Sequence, residues 1–136
     1  MDLFDQLGGI TPVKQLANTF YDVMDTDPDF HDLRVLHPQK LITTKKKLFR
    51  FLRHRLTTPD LLIQDLRNDE QLELRHRHVE LNKYHIELWL ACMDKTMTTL
   101  EIPTHLKSAL NIEFVSLIHA MKKHRETNSN PIKKGL

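Results

Sequence analysis

Nine histidines occur in 136 residues, and three of them share the stretch LELRHRHVELNKYHIELWLACMD, Leu72 to Asp94, with the only tryptophan and the only cysteine. A neutral imidazole can ligate a metal, and the ring exchanges a proton near neutral pH. His76-x-His78 would place both rings on one side of a strand, a spacing that metal sites use. On a helix, residues two apart point about 200° from one another. No cysteine or acidic ligand at i, i+4 spacing accompanies the pair, so the spacing does not support a zinc site. Either histidine, taken alone, reads as a satisfied or exposed side chain.

Tyr21 and Trp89 carry polar ends on otherwise apolar helical stripes. A buried phenol or indole N–H needs a partner, so each is a hydrogen-bonded core residue or a donor to a ligand, and alone the core reading is the simpler. The run from Lys45 to Arg55 is basic, but its aromatics fall on the buried stripe and are not interleaved as stacking platforms, so a solvated helix face is expected there. Lys47 borders that stripe beside Leu48, within reach of an anionic group at the rim. Cys92 and the methionines around it read as packing. No Ser/His/Asp order, phosphate-cradling glycine loop or paired-carboxylate motif supports a hydrolase or kinase.

These residues need elements to position them. At 16.1 kDa the chain has the size of one domain, and 40% hydrophobic and 28% charged residues with only three glycines favour an all-α globular protein. Twenty basic against 18 acidic residues are too balanced for a dedicated polyanion binder. The lone cysteine excludes an internal disulfide and, with no signal-like or long apolar segment, makes the cytoplasm the expected location, with no membrane partner.

Along the chain, a short lead-in helix breaks at Gly8-Gly9, and the next is predicted to be capped by Thr11 with Pro12 at its first position. Val13, Leu16, Ala17, Phe20, Tyr21 and Met24 share one face of it, which turns Tyr21 inward. Asp27-Pro28 ends that helix; Phe30, Leu33 and Leu36 follow, and His37-Pro38 marks a bend. Leu41, Thr44, Leu48, Phe51 and Leu52 form one stripe of the following helix, which Thr57-Thr58-Pro59 stops. A shorter apolar stretch spans Leu61 to Leu66. Ile86, Trp89, Leu90, Met93, Met97 and Leu100 mark one core helix, and Leu106, Leu110, Phe114, Leu117, Ile118 and Met121 another. The ending ETNSNPIKKGL has no periodicity, so the expected division is a domain over 1–125 and a flexible tail over 126–136.

FYDVMDTDP, LHP, KLFRFL, LRHRHVEL and ELWLACMD resemble, in order and spacing, the truncated haemoglobins of group II, over roughly Leu3 to His124. The most specific feature is a histidine thirteen residues before a tryptophan in a W-L-x-C-M context, which selects His76 over His78 as proximal ligand. The resemblance implies a two-over-two helical sandwich around haem b. It makes Tyr21 the distal tyrosine and Trp89 the tryptophan that marks group II, and puts His37 at a distal position. Thr44 and Leu48 correspond to the distal-helix positions facing the iron, Phe51 to the haem edge, and Lys47 and Arg75 to propionate partners. Three departures stand out: Thr57-Thr58 replaces the usual glycine pair, His78-Val79 replaces the usual Pro-Phe, and His37 is an imidazole that can donate to a ligand or become one. His37 or Tyr21 is therefore expected as a sixth iron ligand in at least part of the ferric population.

The resemblance implies binding of O2, NO and CO. Crowded donors oppose easy delivery of oxygen, so the expected role is detoxification of NO or of reactive nitrogen and oxygen species, with an unidentified reductase restoring ferrous iron. The alternatives are a haem-based redox or gas sensor and an oxygen carrier without catalysis, so the resemblance leaves enzymatic activity open. No nucleic-acid partner is expected, and the chain should be a monomer or weak dimer.

Overall fold

The computed structural model describes residues 1–57 and 82–118, and all regular structure among them is helical. Helix α1 spans Leu3–Leu7, α2 Ile10–Thr26, a 3-10 turn Pro28–Phe30, α3 His31–Arg34, α4 Ile42–Leu56 and α5 Lys83–Thr99; residues 104–118 form α6. Arg75, His76, His78, the Leu61 to Leu66 stretch, Thr58, Met121 and the tail over 126–136 lie outside the described residues.

The Asp2 carboxylate caps α1 by accepting from the Asp5 backbone N–H at 2.8 Å. Gly8, with φ 109°, closes it in the left-handed conformation that glycine adopts without penalty. Gly9 follows with φ 90° and is itself the cap of α2. The helix therefore starts two residues before the position predicted from Thr11 and Pro12. Two positive-φ glycines complete the reversal early, and Pro12 still falls in the first turn, where a missing N–H breaks no helical bond.

The inward stripe of α2 is as the periodicity predicts: Val13, Leu16, Ala17, Phe20, Tyr21 and Met24 are all buried. Both α4 and α5 pack on α2. Leu52 and Leu56 of α4, Cys92, Met93 and Met97 of α5, and Leu110 and Phe114 of α6 complete the core. Thr96 is the buried polar exception, and its hydroxyl donates to the Cys92 carbonyl at 2.8 Å within its own helix.

Helix α4 departs from the single stripe expected of it. Leu52 and Leu56 are buried, whereas Leu41, Thr44, Leu48 and Phe51 are only half-buried. The helix has two apolar faces about a quarter-turn apart, one pressed on α2 and one beside it. Helix α5 behaves alike: Cys92, Met93, Thr96 and Met97 are buried, while Ile86, Trp89 and Leu90 are half-buried. Two long-range polar ties that no local pattern signals fasten α5 to the α2–α3 corner. The Tyr84 hydroxyl donates to Asp32 Oδ2 at 2.6 Å, and Lys95 pairs with Asp27, whose carboxylate also accepts from the Asp29 N–H at 2.9 Å.

Phe20 is fully buried beside other rings, so Phe20→Ala should destabilise the chain by ~3–5 kcal/mol, read as a lower urea midpoint at unchanged slope. The Lys95 hydrogen bond, followed by the Asp29 N–H, holds the Asp27 carboxyl below its ordinary pKa. That stability is present above the unfolded carboxylate pKa, about 4, and is lost as pH falls through the lower folded value. Asp27→Asn should thus lower the melting midpoint near neutrality, and the gap to the unsubstituted chain should close as pH is taken from about 5 to about 2.

Candidate functional site

Tyr21 is buried on the inward face of α2, the helix on which α4 and α5 both pack. Its ring meets Phe20 edge-on at a centroid distance of 5.0 Å and His37 at 5.6 Å. Phe20 in turn meets Trp89 at 5.1 Å, and Trp89 meets Phe114 at 5.3 Å. One run of ring contacts thus links the bend after α3 to α2, α5 and α6, bringing together Tyr21, His37 and Trp89. Tyr21 is only 7% exposed, yet no hydrogen bond among the described residues engages its hydroxyl. Burial, and secondarily the Cys92 thiol, push its pKa well above that of a free phenol. Tyr21 is a neutral donor throughout the physiological range. Cys92, pushed up to about 12 chiefly by burial, is a packed thiol whose Sγ donates to the Phe20 carbonyl at 3.6 Å.

His37 is held differently. Its Nδ1 lies 2.9 Å from the Leu33 carbonyl oxygen, and because a carbonyl only accepts, Nδ1 carries the proton. In the neutral ring the lone pair is therefore on Nε2. The bend that carries His37 is pinned by Arg34, a residue the sequence reading passed over. Its guanidinium donates to the Pro38 carbonyl at 2.9 Å, the Gln39 carbonyl at 2.8 Å and Asp25 at 2.8 Å. A lone arginine in a four-residue helix gives no periodic signal, so only the fold discloses this role.

The remaining expected positions divide. Thr44, Leu48 and Phe51 are half-buried at i, i+4 and i+7 on one face of α4, whereas Lys47 is exposed. His85 begins a turn before Trp89 on the same side of α5. Its backbone N–H is capped by Asn82 Oδ1 at 2.8 Å, while its side-chain Nδ1 is buried without a partner. A hollow of about 260 Å³ lined by Leu7, Pro12, Leu16, Leu100, Ile102 and Leu106 lies elsewhere and contains none of these residues.

The residues present fit a flat apolar cofactor with a polar centre. The Tyr21 hydroxyl, Trp89 indole N–H and His85 Nδ1 have no hydrogen bond among the described residues, and half-buried apolar side chains of α4 and α5 pack against the same core. A buried ring nitrogen without a partner, as His85 Nδ1 is, is costly in a finished core and ordinary in a ligand site. Among the described residues, no group of three or more His, Cys, Asp or Glu could hold a metal by itself, and no helix is long and apolar enough to cross a membrane.

An all-helical fold that brings a phenol, an imidazole and an indole into one run of ring contacts has the ingredients of a globin. The Bacterial-like globin family model matches residues 2–125, and the chain belongs to that family. It is similar to a cold-adapted truncated haemoglobin from the Antarctic marine bacterium Pseudoalteromonas haloplanktis TAC125, at 29% identity over 89% of this chain and 97% of that one, with a TM-score of 0.75. The group II truncated haemoglobin of Bacillus anthracis is 26% identical over 89% of this chain and 90% of its own, with a TM-score of 0.72. The group II 2-on-2 haemoglobin of Agrobacterium tumefaciens shares the fold, with a TM-score of 0.74 at 24% identity over 89% of this chain and 93% of that one. No curated protein matches. The architecture is accordingly the two-over-two globin sandwich, the cofactor is haem b, and the protein is a haem-dependent oxygen binder.

The chain has two tyrosines, both displaced upward: Tyr21 by burial and Tyr84 chiefly because it donates to Asp32. In a Tyr84→Phe variant, an ultraviolet tyrosinate titration should show no ionisation until alkaline unfolding exposes Tyr21. A reversible transition near pH ~10 would show instead that Tyr21 is solvated.

Proposed function

We propose that this globin turns O2 against nitric oxide, with Tyr21, Trp89 and His37 as its distal set and His76 as the proximal iron ligand. Haem b, when bound, supplies a reducible iron at which O2, CO and NO bind. The net reaction joins one NO, one O2 and one electron into nitrate. The observation that carries the reading is the buried phenol of Tyr21, neutral and uncommitted, beside an imidazole whose Nδ1–H is already spent on Leu33.

In this reading Tyr21 and Trp89 would donate to the negative end of a bound diatomic ligand, each bond slowing its escape. His37 does not donate while neutral, because the ring's one proton is on the other nitrogen. It accepts, or it ligates. Tyr21 would have to ionise to bind iron well, and its burial opposes that, so His37 is the better candidate for the ferric sixth ligand. Thr44, Leu48 and Phe51 supply the dry wall that excludes water. Lys47 and Arg75 are assigned to the propionates by resemblance. An oxygen held by two donors is poorly suited to delivery, which favours oxidative detoxification over transport.

The test begins with reduced holoprotein equilibrated with O2 and mixed rapidly with NO. Stoichiometric nitrate is expected, and its absence would overturn the detoxification role. Tyr21→Phe and Trp89→Phe should each speed O2 dissociation about tenfold, corresponding to ~1.4 kcal/mol for one hydrogen bond. His37→Ala should convert a low-spin ferric spectrum to high-spin, whereas Tyr21→Phe should leave it low-spin. His76→Ala should abolish the Soret band of the bound cofactor.

A further inference from the structure

Helix α4 carries six of the chain's 20 Lys and Arg residues, namely Lys45, Lys46, Lys47, Arg50, Arg53 and Arg55, and none of its 18 Asp and Glu residues. The rest of the chain is left with 14 basic against 18 acidic residues, and among the described helices α4 carries the largest uncompensated positive charge. Two of the six are neutralised where α4 borders its neighbours: Lys45 pairs with Asp22 at 2.7 Å and Arg55 with Glu113 at 3.5 Å. Lys46, Lys47, Arg50 and Arg53 are exposed, and none is in an ion pair among the described residues. Lys46, Arg50 and Arg53 stand at i, i+4 and i+7, a straight stripe about 10 Å long at 1.5 Å per residue. By the same 100° rotation the stripe lies across the helix from Thr44, Leu48 and Phe51.

We propose that this stripe docks the acidic face of a small one-electron flavin carrier. The proposal rests on the haem reading above and supplies the electron that reading requires. An anionic flavin hydroquinone gives up one electron and becomes the neutral semiquinone, while ferric haem becomes ferrous; no bond is made or broken. Charge complementarity selects the partner. Three cations over two turns match a local carboxylate patch, whereas an extended polyanion or an anionic bilayer would also meet the acidic remainder of the chain. The stripe carries no aromatic side chain on which bases could stack.

The test uses ferric holoprotein with flavodoxin as the probe in two measurements. In the first, oxidised flavodoxin is titrated against the globin and binding is measured without electron transfer. In the second, flavodoxin hydroquinone is mixed with it and the Soret band followed. Between about 20 and about 300 mM salt both affinity and reduction rate should fall roughly tenfold or more. The triple variant Lys46→Glu, Arg50→Glu, Arg53→Glu should lose at least ~10-fold in both at low salt, the corresponding Gln variant less, and Lys14→Glu on α2 little. Reduction by dithionite, together with the Soret band, should be unchanged in all of them, which separates a failure of docking from a failure of haem chemistry. Salt-independent binding, or an equal effect of Lys14→Glu, overturns the proposal. Sedimentation with phosphatidylglycerol vesicles that depends on the stripe, without flavodoxin binding, overturns it in favour of a membrane surface.

Discussion

Phe20 is the side chain on which the site depends. It is fully buried on α2 and touches the rings of Tyr21 and Trp89 at 5.0 and 5.1 Å, so one apolar residue sets the positions of donors that come from two helices. Offset and edge-to-face contacts are directional, each worth on the order of 1 kcal/mol beyond the burial itself. A polar tip at the end of such a ring is held without a hydrogen bond of its own. That arrangement lets the phenol and the indole N–H remain available while the rings are fixed by packing.

The same economy governs protonation. Burial keeps Tyr21 protonated, and the Leu33 carbonyl determines which nitrogen of His37 holds its proton. Two rings in contact, Tyr21 and His37, thus take opposite roles, one donor and one lone-pair bearer, although both are potential donors in the abstract. The distinction arises in the bend after α3, where Arg34 ties Pro38 and Gln39 back to the helix and Asp25 anchors the guanidinium. A half-buried imidazole on an untethered bend would sample other tautomers and rotamers.

Much of this was legible in the chain before any coordinates. The α2 stripe could be read residue by residue because six apolar positions at helical spacing have one packing solution, and they positioned Tyr21 inward. Helix α4 was harder: periodicity reports that residues share a side, not which neighbour they meet, so Leu52 and Phe51 fell on one stripe although only Leu52 is fully buried and Phe51 packs at the core's edge. Early closure by Gly8 and Gly9 displaced the start of α2, because either a glycine or a threonine can cap a helix. Arg34, the Tyr84–Asp32 bond and the Lys95–Asp27 pair were out of reach, since ties between residues distant in sequence leave no periodic trace. His76 and Arg75 entered through resemblance alone and lie outside the described residues.

Helix α4 shows how one short element can carry two unlike surfaces. Its inner side is apolar because core burial requires it, and its outer side is cationic without any compensating carboxylate. A helix is only about 10–12 Å across with its side chains. A charge pattern on the outside therefore lies close to whatever the inside encloses, yet the two are chemically insulated from each other. Exposed lysines and arginines add little to stability, which leaves their arrangement open to selection for encounter with a partner. The half-buried side of α4 is constrained by packing, the outer side by electrostatics at a distance, and neither constraint limits the other.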